Sequence, residues 1–316
     1  MSNRIVIIGA GVAGLICAQI LLKYGFNVTI FDKSRGPGGR VASRRIENGV
    51  FNHGASSIPD FRVTTSLPKF VKEIFDKAIT EGILIPHGKK LTAYSSMKTF
   101  TNFLCKGIKI KKSAEIIAIE PTPSGINLFF KASPKISLGQ TILIFAIPQP
   151  QVLKLLNGQF LKLNRHIETA EMYTSISGLF AFEKPIAKNN VNLENKNIIA
   201  YHENSRIGQN LDLDCWTIHS KKLYGQNSSH ASRDEIRDLL LEDFKNLGFD
   251  CVSTPAYSAG HKWLYGFTDR HLNVNCLFDT EQNIGICGDW CRGDTVLDAA
   301  ISGASLAEKI ISFDIE

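Results

Sequence analysis

The chain has 316 residues, beyond the usual size of one domain, so two domains around a sizeable buried core are expected. Its 44% apolar and 21% charged residues are ordinary for a soluble globular protein. The net charge of +6 suits an anionic ligand but equally a solvated basic surface, and makes no case for nucleic acid as a partner. Seven cysteines form no CxxC pair, and Cys287 and Cys291 have no histidine at zinc-ligand spacing, so no metal site and reduced thiols in a cytoplasmic protein are expected.

The stretch Arg4 to Asp32 organises the rest. An apolar run, Ile5 to Ile8, leads into Gly9-Ala10-Gly11-Val12-Ala13-Gly14, then a long apolar segment to Tyr24, then Asn27 to Phe31 and Asp32. This reads as strand, turn, helix, strand, acid. In such a unit the first glycine permits the tight turn, the second lets backbone approach a pyrophosphate, and the third lets helix and strand pack closely. The free amides and positive dipole end of the helix hold phosphate. Asp32, 32 − 9 = 23 residues past Gly9, stands where a carboxylate accepts both hydroxyls of an adenosine ribose. The competing reading is a tight βα turn with no ligand and a solvated strand end. The same glycine spacing argues against a signal peptide or membrane span over Ile5 to Leu22, and no other segment is apolar for long enough, so no membrane partner is expected.

Lys33-Ser34-Arg35-Gly36-Pro37-Gly38-Gly39-Arg40 demands a compact loop, from which Arg40 can reach back as a phosphate clamp. Basic residues crowd here: Lys33, Arg35, Arg40, Arg44 and Arg45. Phe51 to Ser57 is a small-residue segment that suits either a polar turn or backbone laid against a flat ring. Leu67 to Glu81 has a helical stripe of Phe70, Val71, Ile74, Phe75 and Ala78, ended by Gly82, and a second helix is expected over Met97 to Cys105. Ile108 to Lys111, Glu115 to Glu120 and Ile126 to Phe130 read as strands, with Pro121 to Gly125 as the turn. Thr141 to Ala146 is apolar on both faces, hence a buried strand, which Pro148 and Pro150 break.

From Gln151 to Asn275 the texture changes to longer strands, over Tyr173 to Glu183, Asn197 to His202, Cys215 to Ser220 and Ala256 to Tyr265. They are joined by one strongly patterned helix, Arg233 to Leu247, opened by a Ser232/Glu235 capping box. The chain closes with a short strand ending in Gly288-Asp289, and a helix whose face of Ala300, Gly303, Ala304 and Ala307 is small enough to lie close against a sheet. The expected fold class is α/β: a Rossmann-type dinucleotide-binding domain with a central parallel sheet (1–58, 97–150 and 281–316), plus a mixed α+β substrate domain (59–96 and 151–280).

Together the glycine turn with Asp32, Lys33 to Arg40, His53-Gly54-Ala55, Ala146 to Gln151, Cys215 to His219, His261 to Tyr265, Gly288 to Cys291 and Ser302-Gly303 resemble the renalase-like branch of the flavin-containing amine oxidase superfamily. The stretches span nearly the whole chain in the expected order. The resemblance implies non-covalent FAD: ribose on Asp32 beside Lys33, pyrophosphate at Gly11, Val12, Ala13, Gly14, Gly39 and Arg40, and adenine supported by Ile116. Gly288 and Asp289 hold the pyrophosphate and ribityl chain. The ring lies near Gly54, Ala55 and the start of the last helix at Val296, Leu297 and Ala300, where a helix N-terminus stabilises negative charge on the reduced flavin by roughly 0.3 to 1 kcal/mol. Two departures bear on the substrate cavity. Lys262 stands where the family usually has arginine, and Tyr94-Ser95-Ser96-Met97 replaces a Gly-x-Pro-Gly run.

The implied reaction is hydride transfer to flavin from a small amine or a reduced nicotinamide isomer, with oxygen as reoxidant and no obligatory acid or base. A nicotinamide nucleotide is thus a candidate partner, and the oligomeric state is left open. Trp263 and Tyr265 share strand parity and suit an aromatic wall over the flavin, and His261 shares that parity. His53 is placed at the ring by the resemblance, although a structural role for each histidine is the plainer reading. Trp216 and His219, of opposite parity, should not face the same side. A flavin-binding sensor or scaffold without turnover is the alternative. A nicotinamide dehydrogenase fits less well, having no use for Gly38-Gly39-Arg40 or a terminal Gly-Asp helix. A disulfide reductase would need a second glycine motif and a close dithiol.

Overall fold

A computed structural model describes residues 4–62, 67–186, 191–205, 208, 211–249 and 253–315. Its centre is a six-stranded sheet in the order Leu277–Asp279, Ile284–Ile286, Ile142–Phe145, Arg4–Ile8, Asn27–Phe31, Lys109–Lys111, parallel except at the Leu277–Asp279 edge. Both faces are covered, which is why the central strands are apolar without alternation. Ile5, Ile7, Ile142 and Ile144 pack with the helices Val12–Lys23 and Val296–Ile315. Val6, Ile8, Leu143 and Phe145 pack on the other side with a three-stranded meander (Ile116–Thr122, Gly125–Phe130, Ile136–Leu138) and the helices Gln149–Leu156 and Leu161–Ile167.

The small face of the last helix does not meet the sheet alone. A side chain at Gly303 would come within 2.2 Å of the Ala13 carbonyl, so that helix lies directly on the first one. This contact brings the two ends of the chain together. The segment 67–93 adds the helix Lys69–Thr80 and strands Leu84–His87 and Lys90–Ala93, whose Val71, Phe75, Leu84 and Leu91 belong to the same core as Ile5 and Leu15.

The second region is an antiparallel sheet in the order Ile198–His202, Asp214–Ser220, Glu171–Phe182, Tyr257–Arg270. One face, with Ile176, Phe180, Phe182 and Trp216, is covered by the helix Arg233–Lys245. That helix has its capping box: Glu235 N donates to Ser232 Oγ, and Ser232 N donates to Glu235 Oε2 at 2.7 Å. The opposite face, with Leu179 and Ala181, packs against Phe51 and looks toward the dinucleotide-binding end.

Several local expectations change. Pro121 continues its strand to Thr122, leaving a tighter turn before Gly125. Pro148 and Pro150 do end the buried strand, yet they also open the helix Gln149–Leu156, because a proline in the first turn loses no helical hydrogen bond. The last strand of the antiparallel sheet runs on to Arg270, past Tyr265, through an irregularity. Among the described residues no helix is long and apolar enough to cross a membrane.

Candidate functional site: a dinucleotide cradle and a histidine face

The three turn glycines are required for different reasons. At Gly9 (φ +107°) and Gly14 a side chain would collide with backbone, at 2.5 Å from the Ala146 carbonyl and 2.2 Å from the Gly9 carbonyl, so the fold itself demands them. Gly11 is different: a methyl group there would touch nothing within 4 Å. Its bareness serves no packing purpose and instead keeps space open over the first helix. That helix has no side-chain cap and no acidic residue in its first turn, so the amides around Val12 and Ala13 and the positive dipole end are available to an anion.

Asp32 is half-buried beside this space. Its Oδ2 accepts from Ala10 N and its Oδ1 from Ser34 N, both at 2.7 Å. Each carboxylate oxygen keeps a lone pair, so the acid is oriented without being consumed. The glycine loop folds back onto the turn: Gly38 N donates to Ala10 O at 2.8 Å, and Gly39 lies against Gly11. Lys33 is exposed at the rim. Ile116 is buried with Phe31 and Phe130 under the meander.

Arg40 and Asp289, 249 positions apart, form an ion pair through Nη2 and Oδ1, with the carboxylate buried. Arg40 Nη1 also donates to Gly266 O at 3.3 Å, a carbonyl presented by the irregular part of the last antiparallel strand. Gly288 N donates to Ser302 Oγ at 2.9 Å, tying the Gly-Asp turn to the last helix. That helix is capped reciprocally: Asp298 N donates to Thr295 Oγ1 at 3.1 Å and Thr295 N to Asp298 Oδ2 at 3.2 Å, while Arg292 Nε holds the second Asp298 oxygen. Sequence reasoning missed this cap, although Thr295-x-x-Asp298 carries its signature.

The segment His53-Gly54-Ala55 lies along the glycine-arginine loop, with Ala55 N donating to Arg40 O at 2.8 Å and Gly54 N to Ala42 O at 3.3 Å. A side chain at Gly54 would stand 2.1 Å from the Arg40 carbonyl. Ala55 and Val296, both expected beside a flavin ring, line one cavity of about 250 Å³ with Ser57, Pro59, Lys90, Phe267, Asp294 and Thr295. Leu297 and Ala300 are buried just behind, in the packing of the last helix. A larger cavity, about 350 Å³ between Lys162, His166, Phe278 and Glu281, holds none of the expected residues.

Beside Gly54 the antiparallel sheet contributes a polar face. Its register sets His219, Ser177 and His261 side by side on three adjacent strands. His53 packs onto this row: its ring stacks on Trp263 (5.3 Å, 23°) and meets His261 edge-on at 4.8 Å. Its carbonyl accepts from Trp263 Nε1 at 3.0 Å and Ser177 Oγ at 3.1 Å, so the two regions are joined through one backbone oxygen. With the Ser177 proton so used, Ser177 Oγ accepts from His219 Nδ1 at 3.0 Å, which fixes that tautomer. Burial first, then His261, Arg44 and His219, push His53 down to about 3. Burial, then Arg44, Arg233 and His219, push His261 down to about 4. Both imidazoles are neutral at neutral pH.

The structure separates residues that the sequence grouped. Trp216 is wholly buried under the helix Arg233–Lys245 with Phe244 and Phe249, while His219 faces the site, as opposite parity requires. The ring cluster joins His53, His261 and Trp263 without Tyr265, because the three residues between Trp263 and Phe267 lie opposite the single Thr174 and the regular parity ends at Trp263. Lys262 points the other way and donates to the carbonyls of Ser229 and Ala231 at 2.9 and 2.8 Å. Contact with the Cys17 thiol and burial raise Cys287, and burial raises Cys291, so both stay as unreactive thiols. Among the described residues no group of three or more His, Cys, Asp or Glu is placed to hold a metal.

Sequence reasoning also missed Glu203. It is wholly buried, with Oε1 accepting from Asn52 N (3.0 Å) and Thr217 Oγ1 (2.5 Å) and Oε2 from Asn52 Nδ2 (2.8 Å). Asn52 Oδ1 in turn accepts from Ser43 Oγ and Met97 N, both at 2.8 Å. A glutamate in a polar loop carries no pattern that would announce this.

Comparison with known proteins agrees with the fold. Residues 7 to 74 match the model of the NAD(P)-binding Rossmann-like domain. The chain is 40% identical over 56 residues to a zeta-carotene-forming phytoene desaturase of Myxococcus xanthus, covering 18% of this chain and 11% of that one. It is 42% identical over 45 residues to Protein FLOWERING LOCUS D of Arabidopsis thaliana (14% and 6%), and 44% over 46 residues to lysine-specific histone demethylase 1 homolog 1 from the same plant (15% and 6%). The chain therefore spans about a tenth or less of the length of these relatives. In structure it is similar to a putative protoporphyrinogen oxidase from Exiguobacterium sp. 255-15, with a TM-score of 0.71 over 98% of this chain and 99% of that one, at 12% identity. At that identity the likeness is one of fold.

Proposed function

We propose that this chain is an FAD-dependent oxidoreductase of the amine oxidase type, akin to the renalase-like branch, working in the cytoplasm on a small amine or a reduced nicotinamide isomer with oxygen as reoxidant. The observation that carries the reading is the meeting of Arg40 and Asp289, from opposite ends of the chain, beside an open glycine turn. A nicotinamide dehydrogenase has no need of that second half-site. The matches to a desaturase and to a demethylase homologue, and the likeness in fold to a putative oxidase, support redox chemistry.

The residues fit FAD. Gly11 leaves the cradle bare, Asp32 keeps lone pairs for ribose hydroxyls, and the first-helix amides with Arg40 supply positive charge for a pyrophosphate. Arg40 would share its fork between phosphate and Asp289, which also stops the buried carboxylate from repelling the ligand. Ala55 and Val296 border the space for a flat ring. When bound, flavin supplies the hydride-accepting centre. His53 and His261 stay uncharged at neutral pH and so add no positive charge beside the ring; with Trp263 they wall off water beside the Gly54-Ala55 backbone. Anaerobic mixing of the yellow protein with amines and with reduced nicotinamide isomers tests turnover. Bleaching by one class names the substrate, and bleaching by none favours a flavin-binding protein without turnover.

A further inference from the structure

Arg44 is a half-buried cation whose hydrogen-bond partner is neutral. It lies opposite Phe51 in the hairpin formed by Arg44–Ile46 and Gly49–Phe51, and its Nη1 donates to Tyr257 Oη at 3.3 Å. Among the described residues no carboxylate comes within ion-pairing distance of it. A guanidinium taken partly out of water is costly unless something negative shares its surroundings. Among the described residues one of its five N–H donors is used, and because Tyr257 accepts from Arg44, the phenol keeps its own proton for another acceptor. Tyr257 is fixed by stacking on the buried Phe51 at 5.6 Å and 25°. Packing thus holds the phenol in place, and the phenol in turn holds one guanidinium N–H.

Their position gives them a purpose. Tyr257 lies on the same strand as His261 and Trp263 and with the same parity. Arg44 lies two residues from Ala42, whose carbonyl holds Gly54 N, so this pair borders the histidine face one step away from the segment assigned to the flavin ring. We propose that Arg44 and Tyr257 form the anchor for an anionic group, a carboxylate or phosphate, on the molecule that this protein oxidises. The substrate is then an anion with a neutral reacting part. An alkylammonium ion is rejected, since it would meet an uncompensated guanidinium beside imidazoles that do not take up charge. The inference deepens the oxidoreductase reading, and rests on it only in assigning the anion to the substrate.

Calorimetric titration of the protein as purified, with whatever cofactor it retains, tests this with three probes of like shape: benzoate, phenyl phosphate and benzylamine. The wild type is expected to bind one or both anions at least roughly tenfold more tightly than benzylamine. Arg44→Gln should weaken anion binding roughly ten- to a hundredfold, Arg44→Lys should retain part of it, and Tyr257→Phe should cost a few-fold. Preference for benzoate or for phenyl phosphate identifies the anion. Equal binding of the anions by wild type and Arg44→Gln, absence of anion binding, or benzylamine binding as tightly as benzoate would overturn the proposal. Arg44→Lys keeps the charge but not the planar fork, so if Arg44→Gln does not fold, a partial loss of anion affinity in Arg44→Lys supports the anchor and an unchanged affinity contradicts it. Visible absorption of the same samples reports the flavin independently: colourless protein that still binds anions through Arg44 would refute the cofactor and leave the anchor standing.

Discussion

The dinucleotide cradle and the histidine face are built by opposite means. The cradle uses backbone: glycines that a side chain would break, amides at a helix start, and one acid held by two N–H groups. The histidine face uses side chains set by strand register, joined to the cradle through the His53 carbonyl and the Asn52–Glu203 bonds. A backbone site tolerates little change in geometry, and most of its specificity lies in shape rather than in side-chain identity. A side-chain face on a sheet is free to vary, and this is where the proposed function would place selection among substrates.

The contrast can be broken most forcefully at Gly14. Gly14→Val places carbon atoms into the Gly9 carbonyl and should cost about 3 kcal/mol or more, seen as a large fall in urea midpoint. Gly11→Ala, with nothing within 4 Å, should leave the midpoint unchanged while weakening cofactor retention, and a comparable loss of stability would remove the distinction between the two glycines. At the joint between the regions, Glu203→Ala strips acceptors from Asn52 and Thr217 in a fully buried setting, and should cost about 2 to 3 kcal/mol in chemical denaturation. Asp32→Ala should leave folding within about 1 kcal/mol of wild type and loosen FAD retention roughly tenfold, measured by dialysis.

The smallest effect concerns pH. An unfolded chain protonates both histidines near 6.5, whereas the folded protein resists until about 3 for His53 and about 4 for His261. Between those limits the unfolded state binds more protons, so stability is full above about 6.5 and declines as the pH falls toward 4 and 3. His53→Gln should flatten that decline in a series of melting curves. An unchanged slope would mean that His53 takes up its proton as readily in the folded protein as in the unfolded chain.

The cradle was legible because its chemistry is local: Gly9, Gly11, Gly14 and Asp32 act through fixed spacings along one strand-turn-helix-strand unit. Arg40 and Gly288-Asp289 were each legible as motifs, but their pairing depended on the close contact of Gly303 with Ala13, two helices far apart in sequence. On the histidine face, parity placed His261 with Trp263 and separated Trp216 from His219. It failed at Tyr265, because an irregularity between Tyr173 and Ser175 changes the count of residues across the pair. Glu203 was invisible, since burial of a loop carboxylate is decided by the Asn52 and Thr217 that come to meet it.

Flavin in the cradle is the central claim. The most direct measurement is the visible absorption spectrum of the protein purified after expression with adequate riboflavin, combined with denaturation to release any bound ligand. The FAD assignment predicts the two bands of oxidised flavin, near one flavin per chain, with the colour passing into solution on denaturation. A colourless protein that also fails to take up added FAD would contradict it.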